Sequence, residues 1–237
     1  MSGHSHWAGI KHRKGLNDAK RGAVFTKHGK LISIAAREGG DNPDMNFQLR
    51  LAIDRARAEN MPKENIDRAI KRGTGELGGA ELVEIVYEAM GPGNIMMLIK
   101  TATDNRNRTV NEVKAILTKF GGKLGEMGSA MWNFDQVGFI DADIAGKDKD
   151  EMEMLAIEAG AKDTRIDGEI LTVITNPQDL QKIQKELKDK DLAIKDFGLS
   201  YEAKTKADVD EKTKASYEKL LEALDEQDDV QEIYDTL

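Results

Sequence analysis

Apolar positions in the first third of the chain recur with the period of an α-helix in three successive segments. The first segment stops at Gly39-Gly40, and one of its faces is formed by Val24, His28, Leu31, Ile32 and Ala35. The second lies between Pro43 and Asn60 and repeats the period with Leu49, Ala52, Ile53 and Ala56. The third has Pro62 in its first turn and Gly73 as its stop. Three short helices joined by short turns predict a small helical domain.

The pattern changes after the glycine-rich stretch "GTGELGGAE" at 73–81, which indicates a linker. Two strand-like runs, "LVEIVYEAM" and "IMMLIKTAT", are joined by a Pro-Gly turn. Thr109 and Glu112 then form a capping box, which predicts the start of a helix. The stretch "GGKLGEMGSAMWNFD" supplies turns and a further strand. These elements predict a ββαβ unit over residues 82–134.

From residue 137 onward the pattern is strand, helix, strand, an Asp167-Gly168 turn, strand, helix and strand. This βαββαβ order is the ferredoxin-like arrangement. A helix at 211–225 and the strand "VQEIYDTL" complete the unit at 82–134. We therefore predict an α+β protein with an N-terminal three-helix domain followed by two ferredoxin-like α+β domains, the third inserted in the second. The predicted domains are 1–78 with a basic arm, 79–135 together with 204–237, and 136–203.

Charge divides the chain into a basic first third and an acidic remainder. Residues 1–75 hold 15 Lys and Arg against 8 Asp and Glu, whereas residues 76–237 hold 20 against 35. The formal net charge of -8 conceals this division. A basic segment is the usual footprint of a polyanionic partner, because cations that neutralise phosphates release condensed counterions. The sequence therefore predicts nucleic acid as the partner.

Residues 2–17 have no sustained period, which predicts a mobile or weakly ordered arm. The irregular spacing of its cations suits a flexible chain following a phosphate backbone, and Trp7 could stack on an unpaired base. The candidate binding residues of the arm and first helix are Trp7, Lys11, His12, Arg13, Lys14, Lys20, Arg21, Lys27 and Lys30. The outer face of the third helix adds Arg68, Lys71 and Arg72. The alternative is a solvated tail with Trp7 folded onto the first helix.

A second candidate contact is the polar stretch "TDNRNRT" at 103–109. Arg106 and Arg108 lie one residue apart in a loop before a helix N-terminus, where guanidinium groups and free amide N–H groups suit a phosphate. Alternatively, Asp104 and Asn105 shape a turn, and the two arginines pair with acidic neighbours. Spacing alone slightly favours this alternative.

Several classes of function find no support in the sequence. It has no cysteine and no Walker loop, dinucleotide fingerprint, GxSxG elbow or HExxH motif, so we predict a protein that is not an enzyme and uses no metal or cofactor. The carboxylate clusters "DKDEMEM" and "DEQDD" are predicted to be solvated helix surfaces. No run approaches the length of a membrane helix and no signal-peptide core is visible, so we expect a cytoplasmic protein without membrane or small-molecule partners.

Several stretches together resemble the YebC family, whose mitochondrial relatives are translational activators. They are "SGHSHW", "IKHRKG", "DAKRGAVFTK", "NMPKENIDRAIKRG", "VYEAMGPGN", "TDNRNRT" and "GSAMWNF". The resemblance implies a helical N-terminal domain and two α+β domains, the third inserted. Family members are described as probable DNA-binding transcriptional regulators, and others resemble ribosome-associated translation factors. The chain departs from the usual pattern at His6, Met131 and Asn133, and these changes could weaken a contact.

The sequence as a whole predicts a non-enzymatic, DNA-binding transcriptional regulator. The first alternative is a translation factor that binds ribosomal RNA or the ribosome, because a basic arm with an aromatic residue fits RNA at least as well. The helical domain also lacks a clear recognition-helix signature. The second alternative is a protein-interaction scaffold, in which the acidic remainder binds a basic partner and the arm is only a solubilising tail.

Overall fold

The computed structural model describes the backbone of residues 18–237 and the side chains of residues 22–237. Within this range the chain divides into two compact units, which are described separately below. The larger unit comprises residues 18–131 and Ala207–Ile233, and the smaller unit comprises Trp132–Lys206 and Tyr234–Leu237. The chain therefore leaves the larger unit after Met131 and returns to it at Ala207.

The larger unit begins with the three predicted helices, α1 (Asp18–Gly39), α2 (Phe47–Ala58) and α3 (Lys63–Gly73). Their apolar faces form one core, because residues spaced by three or four positions lie on the same side of a helix. The buried members are Ile32, Ala35, Ala36, Leu49, Ala52, Ile53, Ala56, Met61, Ile66 and Ala69. The periodicity of the sequence thus correctly predicted both the helices and the side that each one buries.

Asn46 fixes the turn between α1 and α2. Its side-chain oxygen accepts a hydrogen bond from the N–H of Leu49 at 3.0 Å, and its amide group donates to the carbonyl oxygens of Ala35 at 2.7 Å and Gly40 at 2.8 Å. A Cβ at Gly39 would lie 2.6 Å from this amide group. Glycine is therefore required at the end of α1 by close packing as well as by helix termination.

A four-stranded sheet completes the larger unit, with the strand order β3-β1-β2-β8. Its strands are β1 (Val83–Met90), β2 (Met96–Thr103), β3 (Lys123–Leu124) and β8 (Val230–Asp235). The helices of this part are α4 (Arg106–Lys119) and α7 (Glu211–Asp225). β1 and β2 are antiparallel and joined by a short turn in which Gly93 has a φ of 70°. Ile34 of α1 packs with Leu82 and Ala102, so the helices and the sheet share buried contacts.

The predicted start of α4 at Thr109 is wrong. The helix begins at Arg106, and Asn105 is its N-cap, with its side-chain oxygen accepting the N–H of Arg108 at 3.0 Å. The Thr109 hydroxyl is buried and donates to the Asp229 carboxylate at 2.7 Å, while Glu112 accepts from the side chain of Gln227 at 2.7 Å. Both residues of the expected capping box therefore bind the segment that follows α7.

The smaller unit has the predicted βαββαβ order. Its elements are β4 (Phe134–Asp143), α5 (Lys149–Glu158), β5 (Asp163–Asp167), β6 (Ile170–Thr175), α6 (Leu180–Asp189) and β7 (Ala193–Ala203). The strand order β5-β6-β4-β7 places the first and third strands of the unit at the centre, as in the ferredoxin-like arrangement. Val137, Phe139 and Ile174 form a buried cluster on the two central strands.

The fold is α+β, with three N-terminal helices followed by two four-stranded sheets and their helices. The prediction of this fold class is therefore confirmed. The division into three domains, with the third inserted in the second, stays a prediction, because the contacts of α1–α3 group them with the first sheet in one compact unit.

Candidate nucleic-acid interface

Most of the predicted arm lies outside the described residues. Trp7, Lys11, His12, Arg13 and Lys14 all precede residue 18, and Lys20 and Arg21 are described only as backbone positions of α1. Their assignment as binding residues stays a prediction. The other predicted residues have described side chains, and these divide into two groups according to what they contact.

Lys27 and Lys30 point from α1 to the C-terminal end of α7. Lys27 Nζ donates to the carbonyl oxygen of Asp225 at 2.7 Å and to its carboxylate at 3.0 Å. Lys30 Nζ donates to the carbonyl oxygen of Asp228 at 2.9 Å and to the Asp229 carboxylate at 2.5 Å. The last carbonyl groups of a helix lack partners within it and form the negative end of its dipole, so the ammonium group of Lys27 is stabilised at Asp225.

Asp229 is the centre of this charged cluster, with a side chain that is 2% exposed. Its carboxylate accepts hydrogen bonds from Lys30 at 2.5 Å, Arg108 at 2.8 Å and the Thr109 hydroxyl at 2.7 Å. Burial works to raise the pKa of the Asp229 carboxyl, but the hydrogen bonds from Arg108, Lys30 and Thr109 more than offset it and hold the pKa far below its usual range. The carboxylate therefore stays ionised within its set of donors.

The prediction that the "DEQDD" cluster is a solvated surface is wrong for Asp225 and Asp229, which bind the two lysines of α1. A further acidic residue of the same segment, Glu232, lies 3.4 Å from Arg55 and 3.8 Å from Lys100. Sequence reasoning missed these contacts. The available signal was the opposite charge of two segments, but the lysines of α1 lie 198 and 199 positions from Asp225 and Asp229.

Arg108 follows the second of the two possibilities considered for "TDNRNRT", since it pairs with acidic neighbours. Its guanidinium lies 2.8 Å from the carboxylate of Asp229 and 3.2 Å from that of Asp104. The hydrogen bond and charge of Asp229 are the main causes that raise the pKa of Arg108 above its ordinary value. We call Lys27, Lys30 and Arg108 the inward cations, because acidic groups of the same unit bind each of them.

A second group of cations faces solvent. Arg68 and Lys71 on α3 and Arg106 at the start of α4 are exposed, and none forms an ion pair with a described residue. We call these three the outward cations. Arg72, next to Lys71, lies 3.6 Å from Asp104. Because Asp104 immediately precedes the N-cap of α4, this contact brings the end of α3 close to the start of α4.

From residue 22 onward, no group of three or more His, Asp or Glu side chains is arranged to hold a metal ion. In the same part of the chain, no helix combines the length and the apolar character needed to cross a bilayer.

Comparisons with known proteins cover nearly the whole chain. The family model of the TACO1/YebC N-terminal domain matches residues 5–76, and that of the TACO1/YebC second and third domain matches residues 82–237. A protein of Chloroflexus aurantiacus is 47% identical over 100% of this chain and 95% of its own length. One of Halothermothrix orenii is 44% identical over 99% of this chain and 94% of its own length. Both are named probable transcriptional regulatory proteins.

A solved structure is similar over the same extent. The crystal structure of a conserved hypothetical protein from Aquifex aeolicus has a TM-score of 0.90 and 39% sequence identity to this chain. The match covers 98% of this chain and 96% of that protein.

Proposed function

The chain belongs to the TACO1/YebC family, and we propose that it is a non-enzymatic, cytoplasmic regulator of gene expression that binds DNA and acts on transcription. The names of its relatives support regulation of transcription. Two proteins that are 44% and 47% identical to this chain are named probable transcriptional regulatory proteins. The charge division supports a polyanionic partner, because the excess of cations lies in residues 1–75.

The observation that carries the proposal is the separation of cations into inward and outward groups. Arg68, Lys71 and Arg106 remain exposed and without described ion pairs, whereas Lys30 and Arg108 bind the buried Asp229. Exposed cations that lie close together repel one another and contribute little to folding. A phosphate backbone would neutralise several of them at once. We include Arg72 in the proposed interface, although its guanidinium lies 3.6 Å from the carboxylate of Asp104.

The predicted arm is the second part of the proposed interface. It precedes α1, and residues 1–37 hold eight Lys and Arg with Asp18 as their acidic residue. Contacts of this kind bind phosphates without reading base sequence, so they supply affinity and position rather than specificity. The inward cations support the interface indirectly, because they hold α1 and α4 in place.

A translation factor that binds ribosomal RNA is the second candidate. The observation that favours it is Trp7, which lies close in the chain to Lys11, Arg13 and Lys14. An aromatic ring stacks on unpaired bases, which are common in folded RNA and absent from an intact DNA duplex. Both candidates use the same basic surface and differ in the nucleic acid that it contacts.

Crosslinking in cells, followed by sequencing of the attached nucleic acid, tests the proposal. Enrichment of promoter DNA supports the transcriptional role, and enrichment of ribosomal RNA supports the translational candidate. A K11A/R13A/K14A variant should lose most of the crosslinks in either case. Recovery of no nucleic acid from the unchanged chain would contradict both and leave the protein-interaction scaffold.

A further inference from the structure

Trp132 is an exposed tryptophan just before the first strand of the smaller unit. It keeps 59% of its surface accessible, although tryptophan is usually well buried in folded proteins. Several polar residues near it in the chain or on the segment that its backbone contacts are exposed: Asp135, Gln136, Lys204, Thr205 and Lys206. An indole that keeps this much surface in water contributes little to the core of its own unit.

The backbone on the C-terminal side of Trp132 is firmly held within the smaller unit. The Trp132 carbonyl oxygen accepts a hydrogen bond from Lys204 Nζ at 3.0 Å, and the Asn133 carbonyl oxygen accepts the Lys204 N–H at 2.8 Å. The buried side chain of Asn133 donates to the Thr205 carbonyl oxygen at 3.0 Å and accepts the Thr205 N–H at 3.1 Å. Asn133 thus continues the pairing of β4 and β7 by one step beyond the strands.

The segment that leads to Trp132 is held separately within the larger unit. The Glu88 carboxylate is buried and accepts hydrogen bonds from the N–H groups of Gly128 at 2.6 Å, Ala130 at 2.5 Å and Met131 at 2.8 Å. Burial works to raise the pKa of the Glu88 carboxyl, but these three bonds outweigh it and lower the pKa below its ordinary value. An ionised carboxylate therefore fixes the chain up to the residue before Trp132.

An exposed aromatic ring on a fixed backbone has already lost much of the conformational entropy that binding would otherwise cost. We propose that Trp132 is a binding residue that stacks on an unpaired nucleobase of single-stranded nucleic acid. This inference rests on the binding of nucleic acid that both candidates of the proposed function share, and it favours the RNA-binding candidate, because an intact DNA duplex offers no unpaired base. Trp132 would extend the proposed interface to a residue that lies outside the basic arm and the outward cations.

A nucleobase fits the surroundings of Trp132 better than a protein surface does. Stable protein docking usually needs a contiguous apolar area, whereas one base needs one ring and tolerates polar neighbours. Lys206 is exposed and suits a sugar-phosphate backbone, whereas Lys204 Nζ is held by the Trp132 carbonyl oxygen and lies 3.1 Å from Asp135.

Binding of a twelve-nucleotide single-stranded RNA and of the corresponding duplex by W132A, W132F and M154A tests the proposal. We expect W132A to weaken single-strand binding by about 5-fold or more, with the duplex little affected and the salt dependence unchanged. W132F should retain most of the affinity, because it keeps a ring. M154A is the matched control, since Met154 is 60% exposed on α5 and its loss should leave binding unchanged.

Fluorescence gives an independent measurement. The chain has two tryptophans, so a W7F variant leaves Trp132 as the emitting residue, and stacking on a base should quench its emission. If the unchanged chain binds single strands but W132A binds equally well and the W7F emission does not change, this inference is overturned and the proposed function stands. If the unchanged chain binds neither the single-stranded RNA nor a duplex DNA of the same length, both are overturned.

Discussion

Two groups of cations in the larger unit have opposite surroundings, although they share the same helical region and the start of the same helix. Lys30 is 13% exposed and its ammonium binds the buried Asp229, whereas Arg68 and Lys71 are exposed and pair with no described residue. Arg106 and Arg108 are both exposed, but Arg108 pairs with Asp229 and Arg106 pairs with no described residue. Residue type and local charge do not distinguish the two groups. Whether a basic residue forms an ion pair therefore depends on which acidic segment folds against it.

The difference has an energetic consequence. Removing one partner of a buried ion pair leaves a charge without compensation and costs several kcal/mol, whereas exposed charges rarely contribute more than about 1 kcal/mol. Changes at the inward cations or their partners should therefore act on stability, and changes at the outward cations should act on binding.

The largest effect is expected from deleting residues 211–237, which removes α7, β8 and the acidic partners of the inward cations. Leu220, Leu221 and Leu224 on α7 are fully buried, so the larger unit also loses core. We expect its cooperative thermal unfolding to disappear, while residues 137–203 remain resistant to limited proteolysis. This outcome would support the proposed insertion of the third domain in the second. An unchanged melting transition would show that the proposed topology is wrong.

Asp229→Asn should destabilise the protein by about 3 kcal/mol, because the largely buried Lys30 would face a neutral amide and Arg108 would lose its closest carboxylate. Denaturant unfolding followed by circular dichroism measures this change. Asp228→Asn is the matched control: its side chain is exposed, and Lys30 binds its carbonyl oxygen, which the substitution keeps. Equal stability of the two variants would contradict the central role of Asp229.

The contribution of Asp229 should also depend on pH. Its pKa is lower in the folded state than in the unfolded chain, so its stabilisation is fully present above the unfolded pKa and is lost as pH falls toward the folded pKa. We therefore expect the difference in unfolding free energy between the unchanged chain and D229N to shrink below about pH 4. A difference that stays constant down to pH 2 would show that the carboxylate charge is not what stabilises the cluster.

The smallest effect on stability is expected for R68A/K71A/R106A, which removes the outward cations and should change the unfolding free energy by less than about 1 kcal/mol. In binding titrations it should reduce the slope of log K against log salt by about 2 to 3 on duplex DNA if all three contact phosphate. K162A/K185A/K212A removes the same charge from exposed positions elsewhere and should leave the slope unchanged. Equal slopes for both triple variants would remove the outward cations from the proposed interface.

Prediction from the sequence succeeded where a local pattern decides the structure. The period of apolar residues correctly indicated α1, α2 and α3, and the helix expected at 211–225 has these bounds as α7. It failed at the start of α4, because Asn105 and Thr109 are both good N-cap residues. The choice between them depends on Asp229, which binds the Thr109 hydroxyl and leaves Asn105 as the cap.

The candidate site was predictable to a smaller extent. The excess of basic residues in the first third is a property of composition, so the sequence indicates a polyanionic partner without any structure. It could not distinguish Lys30 from Lys71 or Arg108 from Arg106. Trp132 was also missed as a candidate, because its exposure depends on the hydrogen bonds that hold Asn133 against Thr205.

The sequence by itself determined the helices, the strands, the fold class and the division of charge, because these follow from the spacing of apolar residues and from composition. Only the tertiary structure decided which cations are compensated, since a carboxylate such as Asp229 lies 199 positions from the lysine that it binds. The physical reason is that burial and ion pairing depend on distances in space, which the separation of residues along the chain does not give.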